Sequence, residues 1–148
     1  MLKKMPPVQK VYEAMTAITD HRVSLKESSA SVLSSEGKRS YTVKWKDDLY
    51  YSDDPATYWQ GYPGYPILAV MMELGRLPYD AHAAESMSGV EWHVLNEQFK
   101  RDYDAALQSV LKQKQMQEYD TDSTQKLADI CMQKLKECNI MLTRKKNI

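Results

Sequence analysis

Hydrophobic residues recur every three or four positions over residues 8–19, which follow two consecutive prolines. This spacing predicts an amphipathic helix that lays its apolar face on the rest of the protein. From residue 22 onward the period changes to two, and the alternation is strongest over residues 41–45, in the run Tyr-Thr-Val-Lys-Trp. Short alternating segments separated by polar turns predict a small antiparallel sheet of three to four strands between residues 22 and 51.

A central helix is predicted by residues 67–74, which are apolar on almost every side. Pro66 suits the first turn of this helix, and Gly75 supplies a left-handed stop, so we expect a buried core helix. Asp80 then has the position of an N-cap for a short helix that ends near Met87.

Two further helices are predicted for the C-terminal part of the chain. Ser88 and Glu91 have capping-box spacing for a helix whose apolar stripe continues to Val110. A second stripe covers residues 121–142, with Asp122 as the expected N-cap. The polar segment between the two stripes suits an antiparallel turn, so we predict a helical hairpin that stands partly clear of the core.

The predicted fold class is therefore α+β, in a single domain over residues 1–148. Residues 1–115 are expected to form the α+β core, and residues 116–148 a C-terminal helix that can extend from it. The sequence has no apolar run suited to a signal peptide or a membrane span. Cys131 and Cys138 are expected to be reduced thiols about 10 Å apart along one helix, and the predicted location is cytoplasmic.

Charge narrows the range of partners. The chain has 20 basic and 20 acidic residues, so its formal net charge is zero. Proteins that hold nucleic acid or anionic membranes through bulk positive charge need clustered Lys and Arg, so we expect no membrane partner and no nucleic acid held in this way. The basic residues 144–146 are expected to be a solvated, frayed terminus.

Motifs for familiar chemistry are missing from the sequence. It has no Gly-x-Ser-x-Gly elbow, no P-loop and no dinucleotide fingerprint. His21, His82 and His93 are its three imidazoles, and the His82–Glu85 pair has no second pair to complete a metal site. We therefore expect no metal and no cofactor.

The least ordinary segment is residues 50–65, which holds five of the ten tyrosines and one of the three tryptophans. Tyr and Trp give large contact area with a polar handle, so the segment is a candidate surface for a protein or a small ligand. It can equally be a long loop that pins itself to the core with its rings. The candidate binding residues are Tyr51, Asp53, Asp54, Tyr58, Trp59, Gln60, Tyr62 and Tyr65.

Three classes of function stay open, and the sequence favours the first. It is a non-catalytic binding or interaction protein that uses the aromatic segment. The second is a small enzyme with Asp53 or Asp54 as base, assisted by His82 or His93, although Asp-Asp-Pro is also ordinary turn chemistry. The third is a homodimer assembled through the C-terminal helices, because the stripe of residues 127–142 is longer than one partner helix covers.

Residues 41–70 resemble SWIM-type zinc fingers in outline. The resemblance rests on the segments 41–43 (Tyr-Thr-Val), 51–54 (Tyr-Ser-Asp-Asp) and 64–70 (Gly-Tyr-Pro-Ile-Leu-Ala-Val). It implies a ββα layout and a binding module for nucleic acid or protein. The positions that would correspond to the zinc ligands hold Tyr51, Asp53, Gly64 and Pro66. These residues cannot replace a Cys and His ligand set, so the resemblance carries over no metal.

Overall fold

The structure is a computed structural model that describes all of residues 1–148, and its fold is α+β. A π-helical turn, Ala56–Gln60, follows the fourth strand, and a 3₁₀ turn, Glu85–Met87, follows the third α-helix. The elements in chain order are α1 (Gln9–Thr19), β1 (Val23–Leu25), β2 (Ser29–Leu33), β3 (Ser40–Lys46), β4 (Leu49–Ser52), α2 (Tyr65–Glu73), α3 (Ala81–Ala84), α4 (Trp92–Gln98), α5 (Tyr103–Met116), α6 (Thr121–Glu137) and β5 (Met141–Thr143).

The sheet has five strands in the order β1-β2-β3-β4-β5. The first four form the antiparallel meander that the alternation predicts, but β5 pairs with β4 in parallel, with Leu142 opposite Tyr50. The predicted antiparallel meander is therefore confirmed, but the sheet has five strands and not three to four, because β5 adds a parallel strand at its edge. β5 has no signal of its own, because Leu142 continues the three-to-four spacing of the preceding helix, and the strand forms at the free edge of β4. The N–H of Met141 donates to the carbonyl of Asp48 at 2.8 Å.

One hydrophobic cluster of 29 buried residues holds the elements together. The central helix α2 is confirmed, and Ile67, Leu68 and Val70 are fully buried in it. Pro66 lies in its first turn, and Gly75 ends the segment at a φ of +77°. Helix α1 packs on α2 and is buried from Gln9 to Ala17 on nearly every side.

The helix predicted from Ser88 through Val110 is two helices. It breaks after α4, where Lys100 and Arg101 have left-handed φ values of +51° and +65°. Asp102 then accepts a hydrogen bond from the N–H of Ala105 at 3.1 Å and starts α5 as a new N-cap. The apolar stripe hides this break, because its three-to-four spacing continues from α4 into α5. Ser88 makes no capping hydrogen bond, since α4 begins after Glu91.

Helix α6 begins after Asp120 and not at the predicted Asp122. The Asp120 carboxylate accepts hydrogen bonds from the backbone N–H and the hydroxyl of Ser123 at 3.1 and 2.7 Å. The helix ends at Glu137, so Leu142 lies in β5.

Helix α6 does not stand clear of the core. Its residues Leu127, Cys131 and Leu135 belong to the central hydrophobic cluster, whereas Ile130 is 50% exposed. Both cysteines are free, and burial raises the pKa of the Cys131 thiol to about 12. None of the helices combines the length and the apolar character that crossing a membrane requires.

Candidate functional site

A concave cleft of about 800 Å³ opens between three parts of the chain. They are α1, the segment that follows β4 (residues 53–64), and the region of α4 and α5. Its wall takes Lys10 and Glu13 from α1, Asp54 and Trp59 from the segment after β4, and Tyr103 from α5. Pockets of roughly 300 to 1,000 Å³ are typical for small molecules. The cleft is therefore the first place to look for a ligand.

The polar face of α1 forms a charged part of the wall. Lys10 Nζ and Glu13 Oε2 are 3.0 Å apart, and the two residues are 6% and 4% exposed. Burial by itself lowers the pKa of Lys10, but Glu13 and Tyr103 outweigh burial, so the pKa is raised and the ammonium stays charged. The Tyr103 ring centroid lies 4.2 Å from Nζ, within range of a cation–π contact.

Gln9 ties this face of α1 to α4. Its side-chain amide donates to Glu13 Oε2 at 3.0 Å and to Asn96 Oδ1 at 2.7 Å, while its own Oε1 is buried without a partner. The contact joins residues 87 positions apart. Local sequence patterns do not reveal such a contact, so Lys10 and Glu13 could not be predicted as site residues. On an amphipathic helix their spacing is typical of a solvated face.

Arg22 and two tyrosines form another part of the wall. Arg22 Nη1 donates to the carbonyl of Leu33 at 2.6 Å, but its Nε is buried and has no acceptor. The Tyr41 and Tyr65 rings meet edge to face, with centroids 6.3 Å apart. Burial raises the pKa of Tyr65 far above its ordinary value, although Arg22 acts in the opposite direction, so the phenol stays protonated.

Asp54 holds the segment after β4 in place. Its Oδ2 accepts the N–H of Thr57 at 3.0 Å, and its Oδ1 accepts the Thr57 hydroxyl at 2.8 Å. Gly64 donates its N–H to the same hydroxyl oxygen at 2.8 Å. A Cβ at position 64 would lie 2.1 Å from Asp54 Oδ2, so this close approach requires glycine. Burial raises the pKa of Asp54, and hydrogen bonds from Ser52 and Thr57 oppose that shift.

The eight residues predicted as binding residues separate into two groups. Five line the cleft: Asp54, Trp59, Gln60, Tyr62 and Tyr65. Three lie elsewhere: Tyr51, Asp53 and Tyr58. Tyr51 is buried in β4, and Asp53 accepts the N–H of Thr42 at 2.8 Å across the β3–β4 pair.

Trp59 is the most exposed member of the cleft group, at 70%. Its ring contacts Tyr58 edge to face at 4.8 Å, and the Arg144 guanidinium lies 5.4 Å from the Tyr58 ring and 5.9 Å from the Trp59 ring. The basic terminus that we expected to be frayed therefore contacts the aromatic segment through Arg144. Rings from this segment are available at the mouth of the cleft.

The imidazoles differ in position. His82 is exposed in α3 and does not line the cleft, whereas His93 lines it from α4. His93 Nε2 lies 3.0 Å from Glu97 and 3.5 Å from Glu36, and it makes no contact with Asp54. No three His, Cys, Asp or Glu side chains converge in a way that would hold a metal ion. Although β3, β4 and α2 follow one another in ββα order, the likeness to zinc fingers stays a prediction.

A family model described as uncharacterised conserved protein UCP014422 matches residues 3–141. The chain belongs to this family. Searches of curated proteins and of solved structures gave no match. Every cleft residue, from Lys10 to Tyr103, lies within the matched part of the chain. The cleft thus lies within the part of the chain that matches the family model, and the description of the family names no activity.

Proposed function

We propose that the protein binds a small molecule in the cleft, without catalysis, and that the aromatic segment after β4 forms one wall of the site. The observation that carries this proposal is the buried Lys10–Glu13 ion pair in the wall of a cavity of about 800 Å³. A polar group that is fixed in an otherwise shielded concave surface can orient a ligand and select it.

Energetics supports this assignment. Removing two charges from water is costly, and their mutual attraction often fails to repay the cost, so a buried ion pair is weak evidence for a role in stability. Lys10 has one protein acceptor within hydrogen-bond distance, Glu13, although an ammonium group has three N–H donors. A polar ligand would accept hydrogen bonds from the remaining N–H groups of Lys10 and would offset the cost of burying the ion pair.

The rings around the pair suit the same role. Tyr62, Tyr65, Tyr103 and Trp59 all line the cleft. Such side chains provide large contact areas, and the hydroxyl groups of the tyrosines add directional hydrogen bonds. A ligand with a flat apolar part and a polar group therefore fits the cleft better than a purely apolar one.

The three tryptophans allow a direct test with an internal control. Trp59 and Trp92 line the cleft, whereas Trp45 lies in β3 and stacks on Tyr50 outside it. We would add benzyl alcohol, phenylacetate and benzylamine in turn to ¹⁵N-labelled protein and record the indole N–H signals. Binding in the cleft moves the signals of Trp59 and Trp92 and leaves that of Trp45 in place.

A matched pair of variants completes this test. Trp59→Ala should weaken binding, and Tyr119→Ala, which removes an exposed ring from the α5–α6 turn, should not. If no probe moves the two cleft signals, or if all three indole signals move together, the proposal is wrong.

A small enzyme is the second candidate, because Asp54, Glu13 and His93 all line the same cleft. The geometry favours it less. Both oxygens of Asp54 accept hydrogen bonds from Thr57, and His93 is placed between Glu36 and Glu97. A general base needs a free oxygen or nitrogen that points toward the substrate. If a turnover assay finds a reaction that His93→Ala abolishes while ligand binding persists, this candidate replaces the first.

A further inference from the structure

The acidic and the basic residues that line the cleft differ in how many partners they have within the protein. Its three acidic residues all have partners within the protein: Glu13 pairs with Lys10, Glu97 with His93, and Asp54 with Thr57. Two of the three carboxylates, those of Glu13 and Asp54, are thus held by buried internal partners, and the third, that of Glu97, is an exposed contact of His93. A cationic ligand would have to compete with these internal partners.

The basic residues are in the opposite situation. Four of them line the cleft, and Lys10 is the one that forms an ion pair. Arg22, Lys100 and Arg101 form none, since the remaining pairs of the protein involve Arg76 and His93. The charge that is free to meet a ligand is positive.

Arg22 is the most specific of these groups. Its Nη1 is used by the carbonyl of Leu33, while Nε is shielded from water and has no acceptor. A guanidinium binds a carboxylate or a phosphate through charge-assisted hydrogen bonds, which are stronger than those between neutral groups. A nitrogen that water cannot reach cannot meet a ligand either, so an oxyanion in the cleft would be bound by Nη2, which is neither buried nor hydrogen-bonded within the protein.

The backbone between α4 and α5 brings two more cations to the cleft. Lys100 and Arg101 have left-handed φ values, which L-residues seldom adopt in succession. The turn is closed by a hydrogen bond of 2.8 Å from the N–H of Arg101 to the carbonyl of Asn96. Both side chains are exposed and line the cleft, where they would attract an anion as it approaches.

We propose that the ligand of this cleft carries an oxyanion, a carboxylate or a phosphate, which Arg22 binds, and a flat apolar body that lies against the tyrosines. This inference rests on the proposed function, because it names the chemical class that the same site accepts. Lys10 adds a donor with a fixed charge to the wall, and Lys100 and Arg101 add unpaired charge at the solvent side.

Four probes of similar size separate the possibilities: phenyl phosphate, phenylacetate, benzyl alcohol and benzylamine. Dissociation constants come from NMR titration of the indole signals of Trp59 and Trp92. We expect the two anionic probes to bind about tenfold more tightly than benzyl alcohol, the factor that one charge-assisted hydrogen bond provides. The stronger of the two anionic probes distinguishes a phosphate site from a carboxylate site.

Substitutions assign this preference to Arg22. Arg22→Gln should remove the anionic preference, and Arg76→Gln should retain it, because Arg76 is paired with Asp48 outside the cleft. Should Arg22→Gln fail to fold, as judged by circular dichroism and melting, Arg101→Gln replaces it. Arg101 is exposed, and its loss should weaken phenyl phosphate binding about threefold, with a smaller loss in high salt.

The outcomes are distinct. If benzyl alcohol or benzylamine binds as tightly as phenyl phosphate, the inference is overturned while small-molecule binding in the cleft stands. If none of the four probes moves the cleft signals, both proposals fall. An anionic preference that survives both Arg22→Gln and Arg101→Gln would also overturn the inference.

Discussion

Helices α1 and α6 have similar amphipathic patterns, yet the polar face of α1 is buried and that of α6 is exposed. In α6 the apolar face is buried at Leu135, while polar residues such as Gln133 and Glu137 are exposed. In α1 the apolar face is buried at Met15, and the polar face at Lys10 and Glu13 is buried as well. Periodicity predicts which face of a helix meets the core, but it does not tell whether the opposite face meets water or a cleft.

The apolar faces should be equivalent. Met15 and Leu135 are 0% and 1% exposed, and removal of a buried side chain of this size costs about 3 kcal/mol in transfer energy and cavity formation. We expect Met15→Ala and Leu135→Ala to lower the free energy of unfolding in urea by similar amounts. A cost for Leu135→Ala below about 1 kcal/mol would mean that α6 is not a full part of the core.

The next largest effect concerns the segment after β4, which lines the same cleft as α1. Gly64→Ala forces a Cβ against the Asp54 carboxylate, and overpacking together with loss of the Thr57 hydrogen bonds should cost about 2 to 3 kcal/mol. Gly37→Ala is the matched control, because its left-handed φ of +75° costs about 1 kcal/mol while the space around it is open. Equal effects in urea unfolding would contradict the role of Gly64.

The polar faces should then differ. Glu13→Ala leaves the Lys10 ammonium in the cleft wall without its carboxylate, which should cost about 2 kcal/mol, less than in a fully dry core. Glu137→Ala removes an exposed contact with Gln133 in α6 and should cost less than about 0.5 kcal/mol. Chemical denaturation of both variants measures the difference. If Glu137→Ala lowers the free energy of unfolding more than Glu13→Ala does, the polar faces of the two helices do not differ as proposed.

The smallest effect is a pH dependence at Asp54. Its pKa is raised above the ordinary value of 3.8, so the folded protein holds this proton more tightly than the unfolded chain. The stabilisation is therefore present below 3.8 and is lost as the pH rises through the raised pKa. Asp54→Asn keeps a neutral side chain at this position and should flatten that decline. Unfolding free energies between about pH 4 and pH 7 give the slope, and identical slopes would refute the assignment.

Much of the fold could be predicted because its signals are local. The alternation at Tyr41, Val43 and Trp45 gives β3, and the apolar run around Ile67 gives α2. Asp80 caps α3 as expected, since its carboxylate accepts the N–H groups of His82 and Ala83. Each of these features depends on side chains that are neighbours in sequence.

The missed features depend on distant parts of the chain. β5 exists because β4 has a free edge, and the break at Lys100 is hidden by a stripe that continues through it. Some of the residues that line the cleft were predicted as binding residues, Trp59 and Tyr62 among them. Lys10 and Glu13 were missed because Asn96 and Tyr103, which help to cover them, lie far along the sequence.

On our proposal, the polar face of α1 is buried because it meets a ligand, and this burial does not stabilise the fold. The measurement that tests it most directly is the double variant Lys10→Met, Glu13→Leu, examined for both stability and phenyl phosphate binding. Apolar replacements of a buried ion pair are often neutral or stabilising. We predict an unfolding free energy equal to or above that of the wild type, together with loss of binding. A variant that is destabilised by about 2 kcal/mol and still binds phenyl phosphate as the wild type does would contradict the account.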